Sequence, residues 1–396
     1  MGSRFPLIIW IARNTYARML KAHGKLRLDN ACGVDLDDGP FLYILNHVGI
    51  MDPVMVSAVA PHHIRWVAGA YLFKSRFLNL VIGKWCRAIP KQQGKSDVSM
   101  VRTVQKALKS GDNVGLFPEG TRTWDGEMVP FDYRPLAKLI RLYKVKVIFA
   151  HIEGGFAYQP RWADEKRMGN VTISLKHVLT PEQIASMDID TLQSTVREYL
   201  HFSNDEWKET ADYSYVSPRR AEGLQRLMYM CPCCRGVDTM RTSGNRITCS
   251  SCGAMAVLTD RDDLTSVDIP FTRLCEWHSW EAAEIGKLDG LPEEAGVLLQ
   301  KGDFNNEGDL EVLSKDISVR IESGVLFVKC NDGDKKEYRL PVSDVTSLIL
   351  NAKQTIELFC GDDLYRIRLK PEACSLKYQE YYNAFSARKA EKEAGA

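Results

Sequence analysis

The sequence predicts a layered α/β domain with a mixed sheet and flanking helices, followed by a small ribbon and an α+β C-terminal domain. Three observations predict it. Short apolar strands alternate with amphipathic helical stretches to about residue 210, two Cys-x-x-Cys pairs lie close together after residue 230, and a series of short strand signals then precedes one final helix. With 396 residues, 45% hydrophobic and 26% charged, the chain has an ordinary folded composition and room for two or three domains.

The apolar run from Pro6 to Ala12 is interrupted by Arg13 and falls well short of the roughly 20 residues of a spanning helix. No small-residue cleavage site follows it. The pattern continues through Arg13, Tyr16, Arg18, Met19, Leu20 and Lys21, which predicts a basic amphipathic helix lying on a membrane surface; packing on the domain itself is the other reading. Gly33 to Pro40 is an acidic, turn-rich link into the buried strand Phe41 to Leu45.

Next comes Asn46-His47-Val48-Gly49-Ile50-Met51-Asp52-Pro53, with Asp52 placed as a helix N-cap and Pro53 as the first helical residue. Five residues apart on one helix, His47 and Asp52 would stand roughly 140° apart and could not meet. Across a strand-to-helix loop they can. Asp52 would then fix the imidazole tautomer and leave the other ring nitrogen as a base for a hydroxyl. Taken alone, the octapeptide reads equally as a catalytic pair and as a helix cap with a loop-filling histidine.

A helix is expected over Pro53 to Ala60 and a strand over Ile64 to Ala68. The stretch Tyr71 to Cys86 sets Phe73, Phe77, Leu78, Leu80, Val81, Ile82 and Trp85 among Lys74, Arg76 and Lys84, which suits contact with lipid or an acyl chain, or an internal helix with snorkelling cations. A strand and turn follow at Ala88 to Gly94, then a helix at Asp97 to Lys109 closed by Gly111.

Val114 to Phe117 is an apolar strand that runs straight into Pro118-Glu119-Gly120-Thr121-Arg122. Turns after the carboxyl ends of strands in open α/β sheets bind ligands. Arg122 offers a planar fork to a phosphate, Thr121 and the Gly120 amide add donors, and Glu119 would orient Arg122 or a bound hydroxyl. Alone, the turn also reads as a surface Glu/Arg ion pair. A helix at Arg134 to Tyr143 and strands at Val145 to Ile152 and Val171 to Leu175 complete the alternation.

Cys231-x-x-Cys234 and Cys249-x-x-Cys252 are separated by fourteen residues, each with a glycine at or near its end, Gly236 and Gly253. That spacing predicts a zinc ribbon with four thiolates around one structural Zn²⁺ and no open coordination position; Cys233 leaves the register of the first pair ambiguous. The other cysteines are sparse, which fits a reducing compartment rather than a disulfide framework.

From Arg261 to Asp309 the chain is acidic and irregular, with an aromatic spot at Trp277-His278-Ser279-Trp280. Strand signals then recur at Ser318 to Glu322, Val325 to Cys330, Glu337 to Leu340, Thr346 to Leu350, Gln354 to Cys360 and Leu364 to Leu369, before a helix from Ser375 to Arg388. The net charge of +1 hides an asymmetry: residues 1–110 carry 16 Lys/Arg against 6 Asp/Glu, and residues 261–310 carry 4 against 12. A basic first half suits an anionic surface or substrate. Nucleic acid is the disfavoured partner, because the basic residues cluster with bulky aliphatic and tryptophan side chains and the ribbon adjoins an acidic stretch.

Together, Asn46-His47-x4-Asp52 and Phe117-Pro118-Glu119-Gly120-Thr121-Arg122 resemble the two leading signature blocks of the glycerolipid acyltransferase family, whose best-known member is 1-acylglycerol-3-phosphate acyltransferase. The resemblance covers roughly residues 30–205. It implies that His47 is the general base and Asp52 its orienter in transfer of a fatty acyl group from acyl-CoA or acyl carrier protein to a lysophosphatidic acid-like hydroxyl. Glu119, Gly120, Thr121 and Arg122 would form the acceptor phosphate site, and no redox cofactor is implied. No Gly-x-Ser-x-Gly elbow or cysteine nucleophile is evident, which favours direct transfer. Lys91 stands where the family's intermediate block has arginine, and the apolar strand at Val147 to His151 lacks the family's proline.

The expected organisation is therefore an acyltransferase domain over residues 1–215, a zinc ribbon over 220–262, an acidic linker over 263–308 and, by resemblance, a pleckstrin-homology-like domain over 309–396. The location implied is peripheral or monotopic on the cytoplasmic face of a membrane. The rival classes are a nucleic-acid-binding zinc-ribbon protein and a regulatory lipid-binding scaffold.

Overall fold

The structure, a computed structural model, describes residues 10, 15, 18, 25–73, 75–91, 97–303, 310–333 and 335–394. Apart from Trp10, Thr15 and Arg18, the expected N-terminal amphipathic helix lies outside the described residues. The chain forms two compact units, one of residues 1–161 and 166–217, the other of 162–165 and 218–396.

The first unit is built on a seven-stranded sheet of order β1-β7-β6-β2-β5-β3-β4. Its strands are β1 (Arg27–Asp29), β2 (Phe41–Leu45), β3 (Ile64–Gly69), β4 (Ile89–Lys91), β5 (Asn113–Leu116), β6 (Lys146–Glu153) and β7 (Thr172–Leu179). β2 to β6 run parallel, and β7 is antiparallel to β6 and parallel to β1, so the sheet is mixed as expected. All five residues of β2 are buried, which is why this central parallel strand reads as an unbroken apolar run.

Leu42 and Ile44 of β2 share a core with Val104 and Leu108 of α2 (Val98–Lys109), Leu136 and Ile140 of α3 (Tyr133–Tyr143) and Leu192, Val196 and Leu200 of α5 (Ile189–Leu200). The three- and four-residue spacing puts these side chains on one stripe of each helix. Asp97, Asp132 and Asp188 cap these helices through backbone N–H groups of Met100, Arg134 and Thr191, and Thr180 forms a capping box with Gln183 ahead of α4 (Pro181–Ser186). Ser203 caps α6 (Asn204–Thr210).

Two local expectations are corrected. Asp52 is not the N-cap of α1 (Asp52–Val59): Met51 is, without a side-chain bond, because the Asp52 carboxylate turns back to the preceding loop. Nor is Tyr71 to Cys86 one helix. It divides into a 3₁₀ turn (Ala70–Phe73), a short helical turn (Arg76–Leu78) capped by Ser75, and a π-helical stretch (Asn79–Trp85). In the last, a Cβ on Gly83 would lie 2.3 Å from Asn79 Oδ1, so the glycine leaves room for the inturned amide.

The second unit holds a four-stranded antiparallel ribbon of order β11-β10-β9-β8, from β8 (Met240–Ser243), β9 (Arg246–Cys249), β10 (Met255–Leu258) and β11 (Leu264–Thr265). It also holds an antiparallel sheet of order β16-β15-β14-β12-β19-β18-β17, with β13 on β12. These strands are β12 (Leu291–Asp303), β13 (Glu311–Ser314), β14 (Ile317–Glu322), β15 (Val325–Cys330), β16 (Glu337–Pro341), β17 (Val345–Leu350), β18 (Thr355–Cys360) and β19 (Asp363–Leu369), followed by α8 (Leu376–Ala394).

Residues 263–308, expected as an acidic linker, instead contain α7 (Leu274–Ile285) and the long strand β12. α7 buries Leu274, Trp277, Glu281, Glu284 and Ile285, a helical stripe in which two members are carboxylates. Register shifts near Leu291, Gly296 and Leu299 break the two-residue alternation of β12. The C-terminal sheet thus starts at Leu291 rather than near residue 309. Lys377, fully buried, pairs with Asp238 and with Glu294 Oε2 at 2.8 Å, tying α8 to β12 and to the ribbon segment.

Candidate active site

Because β2 to β6 are parallel, the segments that follow their carboxyl ends gather along one edge of the sheet. Asn46 and His47 leave β2 there, and the Phe117 to Arg122 turn leaves the adjacent β5. Asn46 Oδ1 accepts the Ile152 N–H of β6 at 2.8 Å. The His47 N–H donates to Glu119 Oε1 at 2.6 Å, and the His47 carbonyl accepts the Thr123 N–H at 3.0 Å. The two loops expected to carry the chemistry are therefore joined through the backbone of His47 itself.

His47 Nδ1 lies 2.8 Å from Asp52 Oδ2. The same oxygen accepts the N–H groups of Val48 and Gly49 at 2.8 and 2.9 Å, and Asp52 is fully buried. Paired with a carboxylate, Nδ1 carries the proton and Nε2 presents a lone pair. One face of the imidazole is covered by Phe117, ring centroids 4.4 Å apart and 18° from parallel, and Phe117 stacks in turn on Trp66 at 5.0 Å and 10°. Trp66 Nε1 donates to Ser57 Oγ at 2.9 Å, so the outer ring of this stack is itself anchored. Gly115 makes space for it: a Cβ there would sit 2.4 Å from the indole.

Glu119 does not orient Arg122, the first of the two roles expected of it. Its second oxygen accepts the Val129 N–H at 2.8 Å, so both oxygens are used on backbone. Burial pushes its carboxyl up to about 8, against the pull of those two N–H groups. Gly120 adopts φ +69°, a left-handed turn that a side chain would strain, with open space where a Cβ would be.

Arg161, which no motif signalled, joins the turn from 39 residues downstream: its Nη1 donates to Thr121 Oγ1 at 3.1 Å and to the Arg122 carbonyl at 3.0 Å. Its guanidinium carbon lies 4.3 Å from the Trp124 ring centroid. Among the described residues no hydrogen bond or ion pair reaches the Arg122 guanidinium. Burial pulls it below its ordinary range, opposed by the charges of Tyr71 and Asp52. Lys91 shares the sheet edge but ends β4, three strands from β2, about 14 Å at the usual strand spacing. His47, Asp52, Glu119, Gly120, Thr121 and Arg122 are thus brought together, and Lys91 is set apart.

Exposed apolar side chains rim this edge: Ile50 between His47 and Asp52, Val54 on α1, and Phe77, Leu78 and Leu80 after β3. An oriented imidazole base beside an arginine-bearing turn can take a proton from a hydroxyl on a molecule whose anionic group the turn holds.

In the second unit the Sγ atoms of Cys231, Cys234, Cys249 and Cys252 all lie within 4.8 Å of one another. Cys231 to Cys252 is 3.6 Å and Cys234 to Cys249 is 3.7 Å, too long for disulfides at about 2.05 Å. Zn–S bonds of about 2.3 Å in a tetrahedron set sulfurs about 3.8 Å apart, so the four thiols fit that ion. Cys233 falls outside the group, its thiol donating to the Asp268 carbonyl at 3.3 Å, which removes the ambiguity of register. The aromatic spot supports this site. Glu281 Oε2 accepts the N–H groups of Tyr229 and Met230 at 3.0 Å each, and Trp277 Nε1 donates to the Met230 carbonyl at 3.0 Å, just ahead of Cys231.

Residues 20–148 match the family described as Acyltransferase. The chain is 28% identical over 142 residues to a 1-acyl-sn-glycerol-3-phosphate acyltransferase of Bacillus subtilis (strain 168), covering 36% of this chain and 69% of that one. It is 30% identical over 97 residues to a 1-acyl-sn-glycerol-3-phosphate acyltransferase of Helicobacter pylori, covering 24% of this chain and 41% of that one. Among solved structures, the LPA acyltransferase PlsC from Thermotoga maritima aligns with 50% of this chain and 80% of its own, at 21% identity and a TM-score of 0.39. The N-terminal PH domain of human ARAP2 aligns with 24% of this chain and 81% of its own, at 12% identity and a TM-score of 0.18.

Proposed function

We propose that the chain, whose residues 20–148 match the family described as Acyltransferase, transfers a fatty acyl group from acyl-CoA or acyl carrier protein to the hydroxyl of a lysophosphatidic acid-like acceptor, a step of phospholipid biosynthesis. One observation carries the reading: the His47–Asp52 pair, whose Nε2 is left to act, is bonded through the His47 backbone to the turn that bears Arg122. In this reading Nε2 takes the acceptor's hydroxyl proton as its oxygen attacks the thioester carbonyl. The tetrahedral intermediate collapses with cleavage of the C–S bond, and the proton passes from the imidazolium to the departing thiolate. Arg122, with Thr121 and the Gly120 amide, holds the acceptor phosphate; Lys91 acts at longer range as a point charge.

The reaction is placed at a membrane surface on its cytoplasmic face. Exposed Ile50, Phe77, Leu78 and Leu80 beside the cations Arg76 and Lys84 support that placement. Among the described residues no helix is long and apolar enough to cross a membrane. The organisation carried with this reading is an acyltransferase domain over 1–215, a ribbon over 220–262 held by one structural Zn²⁺ on Cys231, Cys234, Cys249 and Cys252, and a pleckstrin-homology-like domain whose sheet begins at Leu291. With no open position, that zinc would supply fold stability and no chemistry.

The test is to give purified protein a mixture of lysophospholipids and one acyl-CoA and to identify the products by mass spectrometry. Phosphatidic acid should form, with one free thiol per ester, and His47→Ala should abolish both while its circular dichroism matches wild type. Undiminished turnover in that variant would remove His47 as the base.

A further inference from the structure

We propose that Arg161 is a positioning residue for the acceptor site, holding the Thr121–Arg122 turn so that the Arg122 guanidinium faces the acceptor's anionic group. The inference rests on the reading of Arg122 as the phosphate partner.

Arg161 is only 4% exposed, in the turn after the helical stretch Gly155–Tyr158. A single planar group reaches three of the four residues from 121 to 124: it donates to the Thr121 hydroxyl, donates to the Arg122 carbonyl, and lies over the Trp124 ring. Glu119 fixes the other end of the same turn through His47 and Val129. Between these two clamps Gly120 takes its left-handed conformation, and the direction in which Arg122 leaves the backbone follows from both. Neither clamp is the surface ion pair that a lone Glu-Gly-Thr-Arg turn suggests.

The charge of Arg161 has a second effect. The Arg161 guanidinium is bonded to the Arg122 backbone carbonyl in a buried setting, and burial together with the Arg122 charge draws Arg161 well below its ordinary range. An anion bound at Arg122 relieves that repulsion, so the pair favours a charged acceptor over a neutral one. Arg161 needs no contact with substrate for this.

The test is steady-state kinetics on the full chain with palmitoyl-CoA and lysophosphatidate, comparing wild type, Arg161→Lys, Arg161→Gln, Arg122→Gln and the double glutamine variant. Arg161→Gln should raise the acceptor KM about tenfold, with kcat within about threefold and the donor KM unchanged. Arg161→Lys, keeping the charge without the plane, should fall between. The double variant should be no worse than Arg122→Gln by more than about twofold, because the two residues act as one unit.

An acceptor KM within twofold of wild type in Arg161→Gln, while Arg122→Gln raises it, overturns the positioning role alone. Unchanged acceptor KM in Arg122→Gln overturns the phosphate reading and the proposal with it. Should Arg161→Gln fail to fold, Arg161→Lys decides: a KM raised about threefold supports the proposal, and a wild-type KM overturns it.

Discussion

Asp52 Oδ2 lies 2.8 Å from His47 Nδ1 and at the same time accepts the N–H groups of Val48 and Gly49, so one oxygen sets both the imidazole and the loop that carries it. The substitution Asp52→Asn separates this geometry from the carboxylate's charge. Asparagine can keep its oxygen on all three N–H donors, with its N–H₂ buried where Oδ1 lay, but it loses the negative charge that stabilises the imidazolium formed as Nε2 takes a proton. Its kcat should fall about 10² to 10⁴-fold with little loss of stability. Thiol release followed at saturating acceptor checks this, and a kcat within tenfold of wild type would deny the Asp52 charge its role.

Gly115 lies under the aromatic stack that covers His47. A Cβ there would meet the Trp66 ring at 2.4 Å and Ile64 Cγ2 at 2.9 Å, and neither the stacked ring nor the buried Ile64 side chain yields easily. Gly115→Ala should therefore destabilise the chain by about 1–3 kcal/mol through overpacking. Trp66 would be displaced against Phe117, which lies on the imidazole, so kcat should fall as well. Urea unfolding monitored beside activity tests both parts; a variant as stable and as active as wild type would contradict the stack as described.

His63 and His151 are both drawn down to about 4, the first chiefly by burial and then Arg87, the second chiefly by burial and then Lys176. Between pH 4 and 6.5 the unfolded chain binds more protons at these sites than the folded one. Their contribution to stability is thus fully present above pH 6.5 and is lost as pH falls toward 4, on the order of 3 kcal/mol for each histidine. Urea unfolding at pH 7 and pH 4.5 should show a larger loss for wild type than for a His63→Gln, His151→Gln variant. Equal losses would show that these imidazoles do not govern acid sensitivity.

The four-thiol site predicts about one zinc per chain by elemental analysis. Cys249→Ser should lose most of it and lower the melting temperature, because Cys249 is buried at the end of β9 and a zinc held there would tie β9 to Cys231 and Cys234. Cys233→Ser is the discriminating variant. Its thiol is bonded to the Asp268 carbonyl outside the group, so zinc content should stay at one; loss of zinc there would place Cys233 among the ligands instead of Cys234.

The strands were legible where burial and alternation agree. β2 and β14 to β19 lie within a residue or two of where the pattern puts them, and the His47 and Glu119 loops meet at adjacent strand ends as their motifs suggest. What was not legible depends on contacts made far along the chain. Glu281 reads as one more acidic residue until it is seen to accept the N–H groups of Tyr229 and Met230, and β12 hides behind three register shifts. Glu119 and Arg122 look like an ion pair because they are three residues apart. The pairing they make instead, with His47, Val129 and, for the turn, Arg161, lies 10 to 72 residues away.

Glu119 offers the sharpest pH-dependent prediction. As a carboxylate it accepts the His47 N–H at 2.6 Å and the Val129 N–H at 2.8 Å, one on each oxygen. Glutamine has one acceptor oxygen, so Glu119→Gln sets an N–H₂ against one of those buried donors and should cost about 1–3 kcal/mol. Protonation of the native side chain does the same thing. Burial raises its carboxyl to about 8, so on rising through that pH the free enzyme gains the doubly accepting form and holds the His47 loop more firmly. Stability runs the other way: a carboxyl raised from 4.5 to about 8 contributes fully below pH 4.5, and that contribution is lost as pH rises through 8. Activity of wild type should therefore climb between pH 7 and 8.5 while its stability declines. Glu119→Gln, with no proton to lose, should show neither trend from this site. Profiles of kcat/KM that climb in parallel for the two proteins would assign the titration to another group.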